Sequence, residues 1–156
     1  MQRDKLKVVA AAQAERAYVL DEQVGFLMRV AMQRHTAIFT EHMVEGLTQT
    51  QFAALAKLHE VGACSQNHLG RLICLDAATI KGVVDRLSAR GFVTALADPD
   101  DRRRRAVALT ERGRDVTERA MQVAAEITAK TLTPLSTEEQ RAVARLLKKL
   151  GYQGQM

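Results

Sequence analysis

Phe92-Val93-Thr94-Ala95-Leu96-Ala97-Asp98-Pro99-Asp100-Asp101-Arg102-Arg103-Arg104-Arg105-Ala106-Val107-Ala108-Leu109 is the stretch on which the fold turns. Its two ends are short and β-compatible, whereas the chain on either side has helical spacing. Asp98-Pro99 supplies turn chemistry between them. The segment therefore predicts a β-hairpin with a long tip carrying four consecutive arginines.

Upstream, four helices are expected. Val24, Leu27, Met28, Ala31, Ile38 and Phe39 share a face of a long helix over residues 21–45, stopped by Gly46, and the Ala-rich residues 5–20 suit a helical arm before it. Thr48 and Gln51 fit a capping box, with Phe52, Leu55 and Leu58 on the buried face and Gly62 at the end. Ser65 can cap a short third helix carrying Leu69, Leu72 and Ile73. Asp76 can cap a fourth, with Ile80, Val83, Val84 and Leu87 inward and Gly91 where a C′ glycine belongs. Downstream, Thr110 caps a helix with Val116, Ala120, Val123 and Ile127 on one face. Pro134 breaks the chain, and Ser136 with Glu139 opens a last helix striped by Val143, Leu146, Leu147 and Leu150.

The expected fold is mainly α. A winged helix-turn-helix core (residues 47–110) stands between helical arms (1–46 and 111–156). A core of about 65 residues cannot cover the apolar faces of both arms, so two chains should bury each other's arms as a two-fold dimer.

Composition narrows the partners. The chain has 156 residues, 47% hydrophobic, and a formal net charge of +5. Aromatics are only 4% and Trp is absent, which disfavours an aromatic groove for sugars or peptides. No apolar run approaches the roughly 18 residues of a membrane span. The N-terminus is charged and the apolar run at residues 8–12 is too short for a signal-peptide core, so a cytoplasmic setting is expected. No phosphate-cradling glycine loop, HExxH or Gly-x-Ser-x-Gly occurs, so neither an enzyme nor a cofactor is expected. The positive charge is concentrated: residues 81–105 hold seven basic residues against four acids.

That distribution points to double-stranded DNA. On the fourth helix Ala78, Gly82, Asp85 and Ala89 face away from the apolar stripe, flanked by Thr79 and Arg86 on one side and by Lys81 on the other. Small residues at the centre let a helix approach a groove, and Thr79, Lys81 and Arg86 can reach bases or phosphates. A solvent-facing surface helix reads equally well from the helix alone. Ser65, Gln66 and Asn67 add polar donors at the third helix. Arg102, Arg103 and Arg104 at the hairpin tip suit a minor groove.

These stretches resemble the multiple-antibiotic-resistance regulator (MarR) family of bacterial transcription factors. The matching residues are Leu47-Thr48, Gln51-Phe52, Leu55, Asp76, Thr79, Val84-Asp85-Arg86-Leu87, Gly91-Phe92-Val93, Asp98-Pro99-Asp100-Asp101-Arg102-Arg103, Leu109-Thr110-Glu111 and Gly113. The resemblance implies that Asp101 braces the wing, that Arg102 or Arg103 enters the minor groove, and that a homodimer reads a pseudo-palindromic operator. Ala78, Gly82 and Ala95 depart from the family's frequent Ser, Arg and Arg, which bears on base readout rather than on binding mode. The version Ala78-Thr79-Ile80-Lys81-Gly82-Val83-Val84-Asp85-Arg86-Leu87 is similar to regulators of aromatic-acid breakdown, and particularly to repressors of nicotinate degradation.

The resemblance also implies a small aromatic acid as effector, such as 6-hydroxynicotinate, with His35, Phe39, His42 and Gln51 as candidate contacts. His35 and His42 lie on an otherwise apolar stripe, where they are either boundary histidines satisfied by backbone or water, or partners for an anionic ring. Two turns, about 10 Å along one helix, are too far for both to ligate one metal ion at about 2 Å per bond. Cys64 and Cys74 read as small hydrophobes or as a redox switch. A winged-helix adaptor that contacts protein is the other alternative. Steep salt dependence would separate DNA binding from it.

Overall fold

The computed structural model describes residues 3–5, 7, 17–97, 100, 101, 103 and 105–152. The chain divides into two units, residues 1–36 and 37–156. In the first, a 3-10 turn at Leu20–Glu22 precedes the start of α1 (Val24–His42). Tyr18, Val24, Leu27, Met28 and Met32 of this unit are exposed. Most of the expected arm over residues 5–20 lies outside the described residues.

The second unit holds the end of α1, a 3-10 turn at Val44–Gly46, α2 (Gln49–Val61), β1 (Cys64–Ser65), α3 (Gln66–Leu72), α4 (Ala77–Ala89), β2 (Val93–Ala97), β3 (Arg105–Leu109), α5 (Glu111–Leu132) and α6 (Thr137–Gly151). The long helix is shorter than residues 21–45 at both ends. Gln23 and Met43 are extended, and Glu45 and Gly46 follow with φ of 56° and 59°. Glu45 is a costly place for a left-handed backbone, since its Cβ crowds the carbonyl.

Side chains set the other helix ends. Thr48 and Gln51 close a reciprocal capping box on α2, and Ser136 and Glu139 close one on α6. Ser65, Asp76 and Thr110 each accept a backbone N–H at the starts of α3, α4 and α5. Such caps contribute about 1 kcal/mol each. α4 ends in a Schellman arrangement: the Gly91 N–H donates to the Ser88 carbonyl and the Phe92 N–H to the Leu87 carbonyl. Gly91, at φ 73°, supplies the left-handed turn.

The core draws Phe39, Leu55, Leu58, Leu69, Ile80, Leu87, Phe92, Val116 and Ile127 from every helix of this unit except α6, and from the wing. α6 has no buried residue, and Leu146, Leu147 and Leu150 are exposed. The hairpin forms in register, Val93 opposite Leu109 and Ala97 opposite Arg105. It is joined by β1, which the sequence pattern did not predict: Cys64 pairs with Val107 and Ser65 with Ala106, making a sheet of order β1-β3-β2.

Wing and helix are locked together at one close approach. The Phe92 carbonyl accepts from Thr110 N–H at 3.0 Å. The Thr110 hydroxyl donates to the Gly91 carbonyl at 2.7 Å and accepts from Gly113 N–H at 2.9 Å. A Cβ on Gly113 would lie 1.8 Å from the Phe92 oxygen, so only glycine fits there. This is the physical content of the Leu-Thr-Glu-x-Gly signature.

Candidate nucleic-acid interface

α4 buries Ile80, Val83, Val84 and Leu87 and turns Ala78, Thr79, Lys81, Asp85 and Arg86 to solvent, with Gly82 half-buried. The amphipathic split follows from the 3.6-residue period. At its start Asp76 accepts from Thr79 N–H and Thr79 hydroxyl, each at 2.8 Å. The Thr79 backbone and side-chain hydrogen bonds hold the Asp76 carboxyl below its ordinary range. Thr79 is thereby pinned: its hydroxyl proton is committed to Asp76, and its oxygen keeps its acceptor capacity on an exposed residue. Lys81 Nζ sits 2.6 Å from Asp85 Oδ2. Both groups are exposed, so the pair is weak and yields easily to a phosphate.

Arg86 folds back one turn. Its Nη1 donates to the Gly82 carbonyl at 3.3 Å, and a Cβ built on Gly82 would lie 3.6 Å from Nη1 and Nη2. Gly82 has no left-handed φ, and outside its own stretch of helix the atoms nearest that Cβ position belong to the Arg86 guanidinium. A mid-helix glycine costs about 1 kcal/mol relative to alanine. Nothing in the packing of the fold requires it.

The third helix spans seven residues. Ser65 accepts from His68 N–H at 3.2 Å, and its backbone belongs to β1, so its oxygen is already engaged in shaping the motif. Gln66 is half-buried and Asn67 exposed. At the wing tip Asp101 Oδ1 accepts from Arg103 N–H at 2.9 Å, an Asx-type turn that fixes the backbone where the arginines begin. Arg103 and Arg105 are exposed. Arg102 and Arg104 lie outside the described residues.

A cluster behind this surface escaped the sequence reading. The Glu45 carbonyl accepts from Arg90 Nη2 at 2.6 Å. The Glu45 carboxylate lies 3.7 Å from Arg90 and 3.3 Å from Arg119, and Arg119 also reaches Asp115 at 3.2 Å. Arg90 caps the C-terminus of α4 and rests over the Phe92 ring at 4.6 Å, with Arg112 over the same ring at 5.1 Å. Glu45 thus ties the end of α4, the root of the wing and α5 to one turn.

The ligand candidates are placed as follows. His42 Nδ1 donates to the Ile38 carbonyl at 2.9 Å, which leaves Nε2 as the outward nitrogen. Phe39 is buried in the core against Phe52, ring centroids 6.2 Å apart. Gln51 is buried and its Oε1 accepts from Thr48 N–H at 3.1 Å, so part of its amide serves the cap. His35 is half-buried and belongs to the first unit. Cys64 is half-buried, which pushes its thiol up, away from a reactive thiolate; Cys74 is exposed. Among the described residues no group of three or more His, Cys, Asp or Glu could hold a metal ion, and no helix is long and apolar enough to cross a membrane.

Comparison with known proteins agrees with this architecture. The model of the MarR family matches residues 47–104. The HTH-type transcriptional repressor NicR of Pseudomonas putida is 40% identical over 134 residues, covering 85% of this chain and 85% of its own length. A "probable transcriptional regulator" from Pseudomonas aeruginosa matches with a TM-score of 0.82 and 50% identity, covering 85% of this chain and 99% of that one. Bordetella bronchiseptica BpsR, solved to explain regulation of its DNA binding by 6-hydroxynicotinic acid, matches with a TM-score of 0.82 and 39% identity over 88% of this chain and 99% of its own. With the Asp-rich wing, the glycine that admits Phe92 and relatives that align nearly end to end, the chain belongs to the MarR family of transcription regulators.

Proposed function

We infer that the chain is a dimeric repressor of an aromatic-acid catabolic operon. It binds a pseudo-palindromic operator in double-stranded DNA, in the cytoplasm, and is released by a small aromatic carboxylate, with 6-hydroxynicotinate the first choice. The observation that carries the reading is that Lys81 and Arg86 on α4 and Arg103 at the wing tip are all exposed, the tip's backbone being held by the bond from Arg103 N–H to Asp101. The repressor NicR and the 6-hydroxynicotinic acid control of BpsR support the narrower assignment. α4 takes the major groove through Ala78, Thr79, Lys81, Gly82 and Arg86, with Ser65, Gln66 and Asn67 holding the backbone, while Arg102, Arg103 and Arg104 take the minor groove. Residues 47–110 form the reading core and residues 1–46 and 111–156 the dimerising arms. The bare Leu146, Leu147 and Leu150 of α6 are what a second copy would cover.

For the effector, His35 is the proposed donor to the carboxylate, with Phe39, His42 and Gln51 as further contacts. Burying a carboxylate is costly without such donors. His42 can donate through Nε2 only as imidazolium, because Nδ1 already holds the Ile38 carbonyl. His35→Ala, assayed for ligand affinity and for DNA release, tests that assignment. Parent-like binding and release by the variant would make His35 structural. The DNA reading is tested by fluorescence anisotropy on duplex DNA across a salt series. About ten phosphate contacts per dimer predict a slope of log K on log salt near −9. A slope near zero would favour a protein-contacting adaptor.

A further inference from the structure

Gly82 occupies the middle of α4, without a left-handed φ, and outside its own stretch of helix the group nearest to a Cβ there is the Arg86 guanidinium. The fold gains nothing from a glycine there, so the reason lies outward. The guanidinium is laid along the helix against that space, one nitrogen donating to the Gly82 carbonyl. Among the described residues no carboxylate pairs with Arg86, whereas Lys81 on the other flank of the outward face is tied to Asp85.

Position on the helix matters. A recognition helix reads base edges with its N-terminal half, and its later residues meet backbone. Arg86 is the tenth residue of thirteen in α4. Folding back over Gly82 carries its charge about one turn, roughly 5 Å, toward the reading end. A Cβ at 82 would meet the guanidinium in ordinary contact at 3.6 Å, so a methyl group would leave Arg86 in place but stand out from the helix surface beside it. With Nη1 held, the planar fork keeps donors for two acceptors at once, the geometry that guanine O6 and N7 present in the major groove.

We propose that Gly82 and Arg86 act together as the base-reading element of α4, specifying one guanine in each operator half-site. The proposal rests on the DNA-binding reading above and deepens it. Gly82 is a positioning residue that keeps the helix surface flat, and Arg86 makes the contact. Discrimination at that base pair should be about 5- to 150-fold, the range of a bidentate pair.

The experiment selects binding sites from a randomised double-stranded DNA library with the full-length parent, Arg86→Lys, Arg86→Ala and Gly82→Ala, and measures the Tm of each protein. The parent should select a two-fold motif with a guanine in each half. Arg86→Lys and Arg86→Ala should lose preference at that base pair and keep the rest of the motif. Gly82→Ala should melt higher than the parent yet bind the selected duplex more weakly, with less preference at the same pair. An unchanged motif with Arg86→Ala overturns the proposal and leaves the DNA reading intact. So does a Gly82→Ala variant that melts lower, which would make the glycine structural, or one that melts higher and binds and selects as the parent does. A parent that selects no motif at all overturns both.

Discussion

Replacing Gly113 by alanine sets two physical effects against each other, and the structure decides between them. Helix propensity alone says the variant should gain about 1 kcal/mol, since Gly113 lies in the first turn of α5. The geometry says otherwise. The new Cβ would sit 1.8 Å from the Phe92 carbonyl oxygen and 2.7 Å from its carbon, and the obstacle is backbone, not a side chain that can swing away. Relief requires α5 and the root of β2 to part by more than 1 Å, about what separates 1.8 Å from an ordinary contact. Over-packing of this kind costs about 1–3 kcal/mol, and a backbone obstacle belongs at the upper end. The same movement stretches Thr110 N–H to Phe92 O and Thr110 hydroxyl to Gly91 O, at about 1 kcal/mol each. The net loss is about 4 kcal/mol, or roughly 8–16 °C in Tm for a chain of this size. Thermal melts at matched protein concentration measure it, because a dimer's Tm depends on concentration. DNA affinity should fall too, since Phe92 joins α4 to the wing. A Tm equal to or above the parent's would refute the reasoning.

Three further outcomes follow from the same geometry. Asp76→Asn keeps an acceptor for Thr79 N–H but removes the titration. The Asp76 carboxyl is depressed in the fold, so its contribution is complete above the ordinary aspartate range near 3.9 and fades as pH drops through the folded value. The stability gap between parent and variant should therefore narrow as the pH falls below the ordinary aspartate range, and a gap that does not change on acidification would contradict the assignment. Glu45→Gln leaves the carbonyl bond to Arg90 and deletes the charge facing Arg90 and Arg119. At this partly exposed site the loss should be about 1 kcal/mol or less and should shrink in 1 M salt; a salt-independent loss would show that charge is not its cause. Arg102 and Arg103 changed together to alanine should weaken DNA binding and flatten the salt slope by roughly 3 to 4, four contacts being lost per dimer; an unaltered slope removes the wing from the interface.

Caps and turns were legible in the sequence because each is a local rule. Thr48 with Gln51, Ser136 with Glu139, Asp76, Thr110 and Gly91 all act where spacing places them. What escaped is non-local. β1 is two residues whose only strand partner lies about 40 positions on, too short for any alternation to register. The Glu45 cluster joins residues 45 and 74 positions apart, through a left-handed glutamate that no propensity favours. On α4 the outward residues were readable from periodicity, but the return of Arg86 onto Gly82 was not, because it depends on a rotamer and on vacant space. The histidine stripe illustrates the reverse: its spacing was visible, while the bond from His42 to the Ile38 carbonyl, which decides the nitrogen it can offer, required coordinates.

The most direct test of the account is release of DNA by an aromatic acid. A fluorescent duplex carrying the selected motif is titrated with the protein at fixed salt and pH, with and without 6-hydroxynicotinate, and with benzoate and nicotinate for comparison. A ligand that binds both states equally shifts nothing, so release requires different affinities for the DNA-binding and free forms. The account predicts that 6-hydroxynicotinate moves the midpoint to about 100-fold higher protein concentration, a coupling near 2.7 kcal/mol. Midpoints that coincide at saturating concentrations of every acid, with the duplex still bound, would contradict it.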